Sequence, residues 1–187
     1  MIKQHFHGGA QNLKDKIFAL DFLLIFFVLL LGIISIFAMY STEQGKFGYY
    51  TQSHLYRFSI FFILFITISF IKVKNWYKSA YLFYFTILIL LLAVDFFGVT
   101  SSGSKRWISL FFINLQPSEL MKIALIIFLA KYYYKIPTEN VANLKYIIAP
   151  LFAILVPVLL VAQQPDLGTA VLILAGGFGV IWLTGFR

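Results

Sequence analysis

The chain has 187 residues, 61% of them hydrophobic and 12% charged, with a mean hydropathy of +0.89. Soluble domains carry about 25% charged residues, so this composition excludes a soluble globular domain and marks an integral membrane protein. The net charge of +8 would suggest nucleic acid in a soluble protein; here it is the Lys/Arg excess of cytoplasmic loops, and no nucleic-acid role is expected. Residues 1–16 read as a polar cytoplasmic tail. Its His5 and His7 have no further ligand nearby, so they read as solvated rather than metal-bound. No cleavable signal peptide is expected, because the first apolar run is too long and no small-residue cleavage site follows it. A transmembrane helix needs about 20 apolar residues. The spans expected on that basis are 17–40, 55–71, 79–99, 117–134, 145–163 and 167–186. The expected fold class is therefore all-α: a polytopic transmembrane helix bundle of six spans in a single membrane domain, 1–187.

Orientation follows from the basic residues. Lys3, Lys14, Lys16, Lys72, Lys74, Lys78, Lys131, Lys135, Lys145 and Arg187 fall on one side of such a bundle. Lys46, Arg57, Lys105, Arg106 and Lys122 fall on the other. The richer side is the cytoplasm, so the N-terminus is cytoplasmic and the 100–116 loop is outside. Cysteine is absent, which removes disulfide and thiol chemistry.

Several polar groups interrupt the apolar runs. Asp21 and Asp95 lie near opposite ends of their spans, where both reach interfacial water. Arg57 opens the second span and can snorkel to the headgroups, where an anionic lipid phosphate could meet it. In the loop, 101–104 reads as a flexible segment, and Lys105, Arg106 and Trp107 follow. Two cations on the outer face run against the positive-inside trend. A phosphate-bearing ligand would explain them, since Arg grips phosphate oxygens with a planar fork; non-specific contact with lipid headgroups is the plain alternative.

Pro117 suits the first position of a helix, and Asn114 or Gln116 can cap it. Glu119 then falls in the first turn, where the helix dipole favours a carboxylate. Lys122 lies at i+3 on the same face. Ionisable residues within a span point to a functional site; the alternative is a pair that neutralises itself and pins helices. Pro150 and Pro157 each remove a backbone donor from the fifth span, and neighbouring helices or polar side chains can satisfy the freed carbonyls. Asp166 is placed to cap the sixth span through the backbone donors of Gly168 and Thr169. Gly176, Gly177 and Gly179 read as sites of close helix contact. The turn at 162–170 and the Glu119/Lys122 helix start face the same side, so together they could line one polar cavity open to the outside.

Three segments carry a resemblance: GSKRWI at 103–108, NLQPSELMKIAL at 114–125 and QPDLGTA at 164–170. They resemble the SEDS family (shape, elongation, division and sporulation), and its elongation branch more than its division branch. The three motifs together are specific; any one alone would be weak. The resemblance implies a peptidoglycan glycosyltransferase that polymerises lipid II on the outer face of the cytoplasmic membrane, in cell-wall biogenesis and cell-shape control. A sugar hydroxyl attacks the anomeric carbon of a second sugar, and an undecaprenyl diphosphate leaves. It further implies a divalent cation, Mg2+ or Mn2+, and a class B penicillin-binding protein as partner. By motif, Arg106, Glu119, Lys122 and Asp166 carry over as active-cavity residues, with Lys105 beside them. The metal ligands are not assigned.

Family members have about ten spans, and their catalytic aspartate lies in a large outer loop between the seventh and eighth. No residue here matches it, so the chain reads as a truncated member. The rival readings are a lipid II flippase, the division paralogue, and a non-catalytic scaffold for a penicillin-binding protein. A flippase would place polar groups on both sides of a path, whereas the polar groups within these spans cluster outside. The 187-residue chain is expected to make no glycan in a lipid II polymerisation assay that a full-length relative passes. Robust synthesis by the short chain would overturn both the truncation and the loop-aspartate assignment.

Overall fold

The computed structural model describes residues 13–101, 104–110, 113–141 and 143–185. The first twelve residues of the tail, with His5 and His7, lie outside the described residues, as do Gly103 and Arg187. Two compact units divide the chain, 1–72 and 73–187.

The first unit holds α1 (Leu13–Phe18), α2 (Phe22–Thr42) and α3 (Tyr49–Ser69). The single span expected over 17–40 is broken at Asp21, whose carboxylate accepts from the Leu24 N–H at 3.0 Å and starts α2 afresh. A short acidic side chain before an apolar run is a better helix cap than a helix interior. Past the end of α2, Glu43 turns back on α3. Its carboxylate takes the Tyr50 N–H at 3.0 Å, the Thr51 N–H at 2.9 Å and the Thr51 hydroxyl. The Thr51 hydroxyl is the main cause that holds this carboxyl below its ordinary value; desolvation opposes it, and the backbone donors add to the lowering. This cap extends α3 six residues N-terminal of the expected 55–71 span. In the middle of the helix pair, Gly32 lets the Phe58 ring approach, and Ser35 Oγ lies 2.8 Å from His54 Nε2.

The second unit holds α4 (Val73–Phe97), a three-stranded antiparallel sheet, α5 (Pro117–Tyr134), α6 (Ile148–Gln163) and α7 (Leu167–Leu183). Two single 3-10 turns, Thr138–Asn140 and Leu144–Tyr146, connect α5 to α6. The strands are β1 (Val99–Ser101), β2 (Ser104–Leu110) and β3 (Ile113–Leu115), with β2 in the centre. Of the segment expected to be flexible, Ser101 and Ser104 pair with each other, and residues 102 and 103 lie outside the described residues. Helix α5 packs against α4, α6 and α7. Met121, Leu125 and Leu129 line its inner face with exposures of 1% or less, and Leu91, Ile154, Val161 and Ile173 meet them.

By length and composition alone, α2, α4 and 144–163 suffice to cross a bilayer. Helix α5 carries Glu119, Lys122 and Lys131, and α7 has 17 residues.

In lipid every backbone polar group must find a partner within the protein. Pro157, inside α6, has no N–H to give the Ala153 carbonyl one turn back. The Tyr84 hydroxyl of α4 donates to that carbonyl at 2.8 Å. Pro150 falls in the first turn of α6, where no intrahelical donor is lost, so only Pro157 needs a substitute. Of the glycines in α7, Gly177 is the close contact: a Cβ there would come within 2.6 Å of Ile154. Gly179 faces open space, so the expected contact does not extend to it.

These contacts predict a thermodynamic coupling. Tyr84→Phe should destabilise the unit by about 1 kcal/mol by orphaning a buried carbonyl. Combined with Pro157→Ala, which restores the N–H, the same change should cost clearly less. Unfolding in mixed detergent micelles measures the double-mutant cycle; equal costs in the two backgrounds would refute the coupling.

Candidate functional site

The hairpin end of the second unit gathers the end of α4, the sheet, the start of α5 and the α6–α7 turn. Its opposite end carries Lys74, Lys78, Lys131, Lys135 and Lys145. By the positive-inside rule that lysine-rich end is cytoplasmic and the hairpin end is outside.

A change of register aims Arg106. Val99 pairs with Trp107 and Thr100 with Lys105, which leaves Arg106 as the extra residue of a bulge on β2. Bulges re-aim side chains in this way. Arg106 Nε donates to the Gln164 carbonyl at 3.2 Å, and its guanidinium also donates to the Pro165 carbonyl. Another guanidinium nitrogen stands 3.8 Å from the Asp166 carboxylate. The fork expected to grip a phosphate is therefore engaged on the α6–α7 turn, and Arg106 acts here as the anchor of the hairpin.

Asp166 accepts from the Thr169 N–H at 3.3 Å and caps α7 as expected. It also accepts from the Gln116 amide at 3.2 Å. Gln116 occupies the cap position of α5, but its side chain makes no capping bond; its amide nitrogen donates to Asp166 instead. Gln164, 5% exposed, donates its amide to the Leu91 carbonyl and to the Asp95 carboxylate, both at 3.3 Å. Asp95 is thus a partner in the network as well as a group near interfacial water. Sequence reasoning passed over Gln164 and the Asp95 link. The available signal was a run of amides beside a proline at a helix end, where buried polar atoms need partners.

Glu119 and Lys122 form the expected pair. Lys122 Nζ lies 2.9 Å from both carboxylate oxygens. The Glu119 side chain is 53% exposed and that of Lys122 is 26% exposed. An ion pair this open contributes about 0–1 kcal/mol, so an anionic ligand can compete for the lysine. The pair stands one helical turn from Gln116, and so from the Asp166 network. Lys105 is exposed and makes no ion pair among the described residues.

The divalent cation implied by the resemblance would need several oxygen ligands. Among the described residues no three His, Cys, Asp or Glu converge. Asp95, Glu119 and Asp166 are each held by a cation or an amide. These residues do not by themselves make a cation site.

Comparison with known proteins decides the family. The model of the FtsW/RodA/SpoVE family, described as a cell cycle protein, matches residues 16–187. This chain belongs to the FtsW/RodA/SpoVE family. Among FtsW/RodA/SpoVE relatives, it is 35% identical to the peptidoglycan glycosyltransferase MrdB of Helicobacter pylori, covering 90% of this chain and 43% of that protein. The Escherichia coli K12 MrdB is 41% identical over 54% of this chain and 27% of its own length. A probable peptidoglycan glycosyltransferase FtsW of Tolumonas auensis is 31% identical over 79% of this chain and 39% of its own length. In structure, the chain matches the rod shape determining protein RodA of Thermus thermophilus with a TM-score of 0.79 at 27% identity, over 90% of this chain and 55% of that one. A chain from a structure of a peptidoglycan synthase complex that coordinates polymerization and crosslinking matches with a TM-score of 0.78 at 27% identity, over 89% and 48%. The chain thus spans about half the length of the family members it matches. It is a multi-pass helical protein of the inner membrane.

The geometry of this FtsW/RodA/SpoVE site makes Arg106 testable. Arg106→Lys loses the fork that bridges two carbonyls, each charge-assisted bond being worth about 1.5–3 kcal/mol. Backbone exchange of β1 and β2 should speed up by about tenfold or more, with α5 unchanged. Hydrogen–deuterium exchange in nanodiscs checks this; unchanged exchange in the hairpin would show that Arg106 is not its anchor.

Proposed function

We propose that this chain forms the diphosphate-binding side of a peptidoglycan glycosyltransferase that polymerises lipid II in cell elongation. The observation that carries the reading is the exposed Glu119–Lys122 pair at the start of α5, on the same outward end as Lys105. In the reaction, a sugar hydroxyl attacks the anomeric carbon of a lipid-linked sugar and the carbon–oxygen bond to the diphosphate breaks. Negative charge then grows on the departing undecaprenyl diphosphate. Fixed cations aimed at that charge lower the barrier. Lys122 is held on a helix rather than a loop, and Glu119 keeps it extended toward the outer face until phosphate takes it. Lys105 supplies a second charge at the rim. Arg106 and Asp166 act through position, by fixing the hairpin and the start of α7 around the lysines.

A divalent cation would arrive on the diphosphate itself. A class B penicillin-binding protein, as partner, would crosslink the glycan made here. The flippase reading is less well supported, because Asp95, Gln116, Glu119, Lys122 and Gln164 meet at the hairpin end, whereas the groove at the lysine-rich end is lined by apolar side chains behind Lys145.

The test has two parts. In nanodiscs, the 187-residue chain should bind undecaprenyl diphosphate, and Lys122→Ala should weaken binding while Lys122→Arg keeps part of it. At the matching position of a full-length relative, Lys122→Ala should lower lipid II polymerisation by about 10²-fold. Wild-type polymerisation by that variant would sink the assignment.

A further inference from the structure

A groove of about 560 Å³ opens between α4 and α6 at the lysine-rich end of the second unit. Phe85 and Leu88 form one wall, Phe152 and Val156 the other, and Phe128 of α5 the floor. Lys145 stands at the mouth. Toward the hairpin end the two helices are sealed: Leu91 and Val161 are fully buried, and the Gln164 amide reaches the Leu91 carbonyl. The groove therefore closes toward the hairpin end, while its walls Phe85 and Phe152 stay exposed along its side.

Its depth selects an occupant. On α6 the lining runs from Ile148 to Val156, eight residues on, which is about 12 Å of helix rise. The hydrocarbon core of a bilayer is about 30 Å thick, so the groove is roughly one leaflet deep. A spanning helix would need a groove of full membrane depth; an acyl chain from one leaflet would not. The floor also turns away polar ligands. Its hydroxyl, on Tyr84, is committed to the Ala153 carbonyl, and the Tyr84 ring packs 4.5 Å from Phe128. The mouth asks for the opposite chemistry. Lys145 is exposed and makes no ion pair among the described residues. Lys74, Lys78, Lys131 and Lys135 share its end, against Glu139. The anionic lipids of a cytoplasmic leaflet meet that field favourably.

We propose that this groove binds one anionic glycerophospholipid of the cytoplasmic leaflet, with an acyl chain against Phe128 and the phosphate at Lys145. The site lies at the opposite end of the unit from the glycosyl-transfer site and does not depend on that reading. The protein is reconstituted with equal phosphatidylglycerol and phosphatidylcholine, and retained lipids are counted by native mass spectrometry. One phosphatidylglycerol should be retained, with a preference of about fivefold over phosphatidylcholine. Lys145→Gln should erase that preference, and Lys135→Gln, at the same end but outside the groove, should leave it. Ala149→Trp fills the groove and should abolish retention of either lipid. Equal retention of the two lipids, or a preference unchanged in Lys145→Gln, would overturn the proposal. So would a lipid-free dimer that Ala149→Trp disrupts, because the groove would then hold a second copy of the chain.

Discussion

Helix α6 must stop and α7 must begin again at the edge of a hydrocarbon medium. Each helix end leaves backbone groups without intrahelical partners, and lipid cannot supply them. The Gln164–Pro165–Asp166 turn meets that demand, and much of the second unit is arranged around how it does so. Arg106 supplies donors to two of the turn's carbonyls. Asp166 takes the free N–H of Thr169. The side chain of Gln164 spends its amide on α4, and Gln116 spends its own on Asp166. One turn thus ties together α4, the hairpin, α5 and α7.

That arrangement sorts the charges at the outer end by role. Arg106 and Asp166 face each other across the turn and are occupied with backbone and cap. Their removal would disturb shape before it disturbed charge. Lys122 differs in kind, because its partner is an exposed carboxylate one helical turn away. Exchange of that partner for a phosphate leaves no buried charge unpaired, whereas withdrawal of Arg106 would strip donors from two carbonyls. A ligand-binding role is therefore easier for the lysines than for the arginine, although arginine is the better phosphate fork in isolation.

Legibility in the sequence followed the strength of local signals. The span expected from near Pro117 to about Tyr134 was readable, because a proline suits the start of a helix and α5 begins there. The Glu119–Lys122 pair was readable too, since i,i+3 neighbours on a helix meet whatever surrounds them. The break at Asp21 was hidden by continuous apolar residues on both sides; only the cap geometry distinguishes it from an interior acid. The Arg106 contacts lie 58 and 59 residues from their partners in sequence, and no local pattern encodes such a separation. The same holds for Tyr84, read as one more aromatic in an apolar run. A proline within a span announces that a partner exists but does not say which side chain it is.

The two ends of the second unit obey the same rule by different means. At the hairpin end, α4 and α6 are drawn together by hydrogen bonds through Gln164. At the lysine-rich end, α4 and α5 are joined instead by Lys131, whose ammonium sits 4.4 Å from the Tyr81 ring centroid and donates to the Lys78 carbonyl at 2.9 Å. Cation–π contacts and snorkelling suit an interface where water is near. The amide bonds of Gln164 and Gln116 at the hairpin end, buried or part-buried, are directional. Directional bonds fix the outer end more tightly than ring contacts fix the inner one. A reaction that depends on cations held at a set distance from a diphosphate needs that kind of support around it. The inner end, where α4 and α6 part to form the groove, is under no such demand and can accept a lipid chain between them.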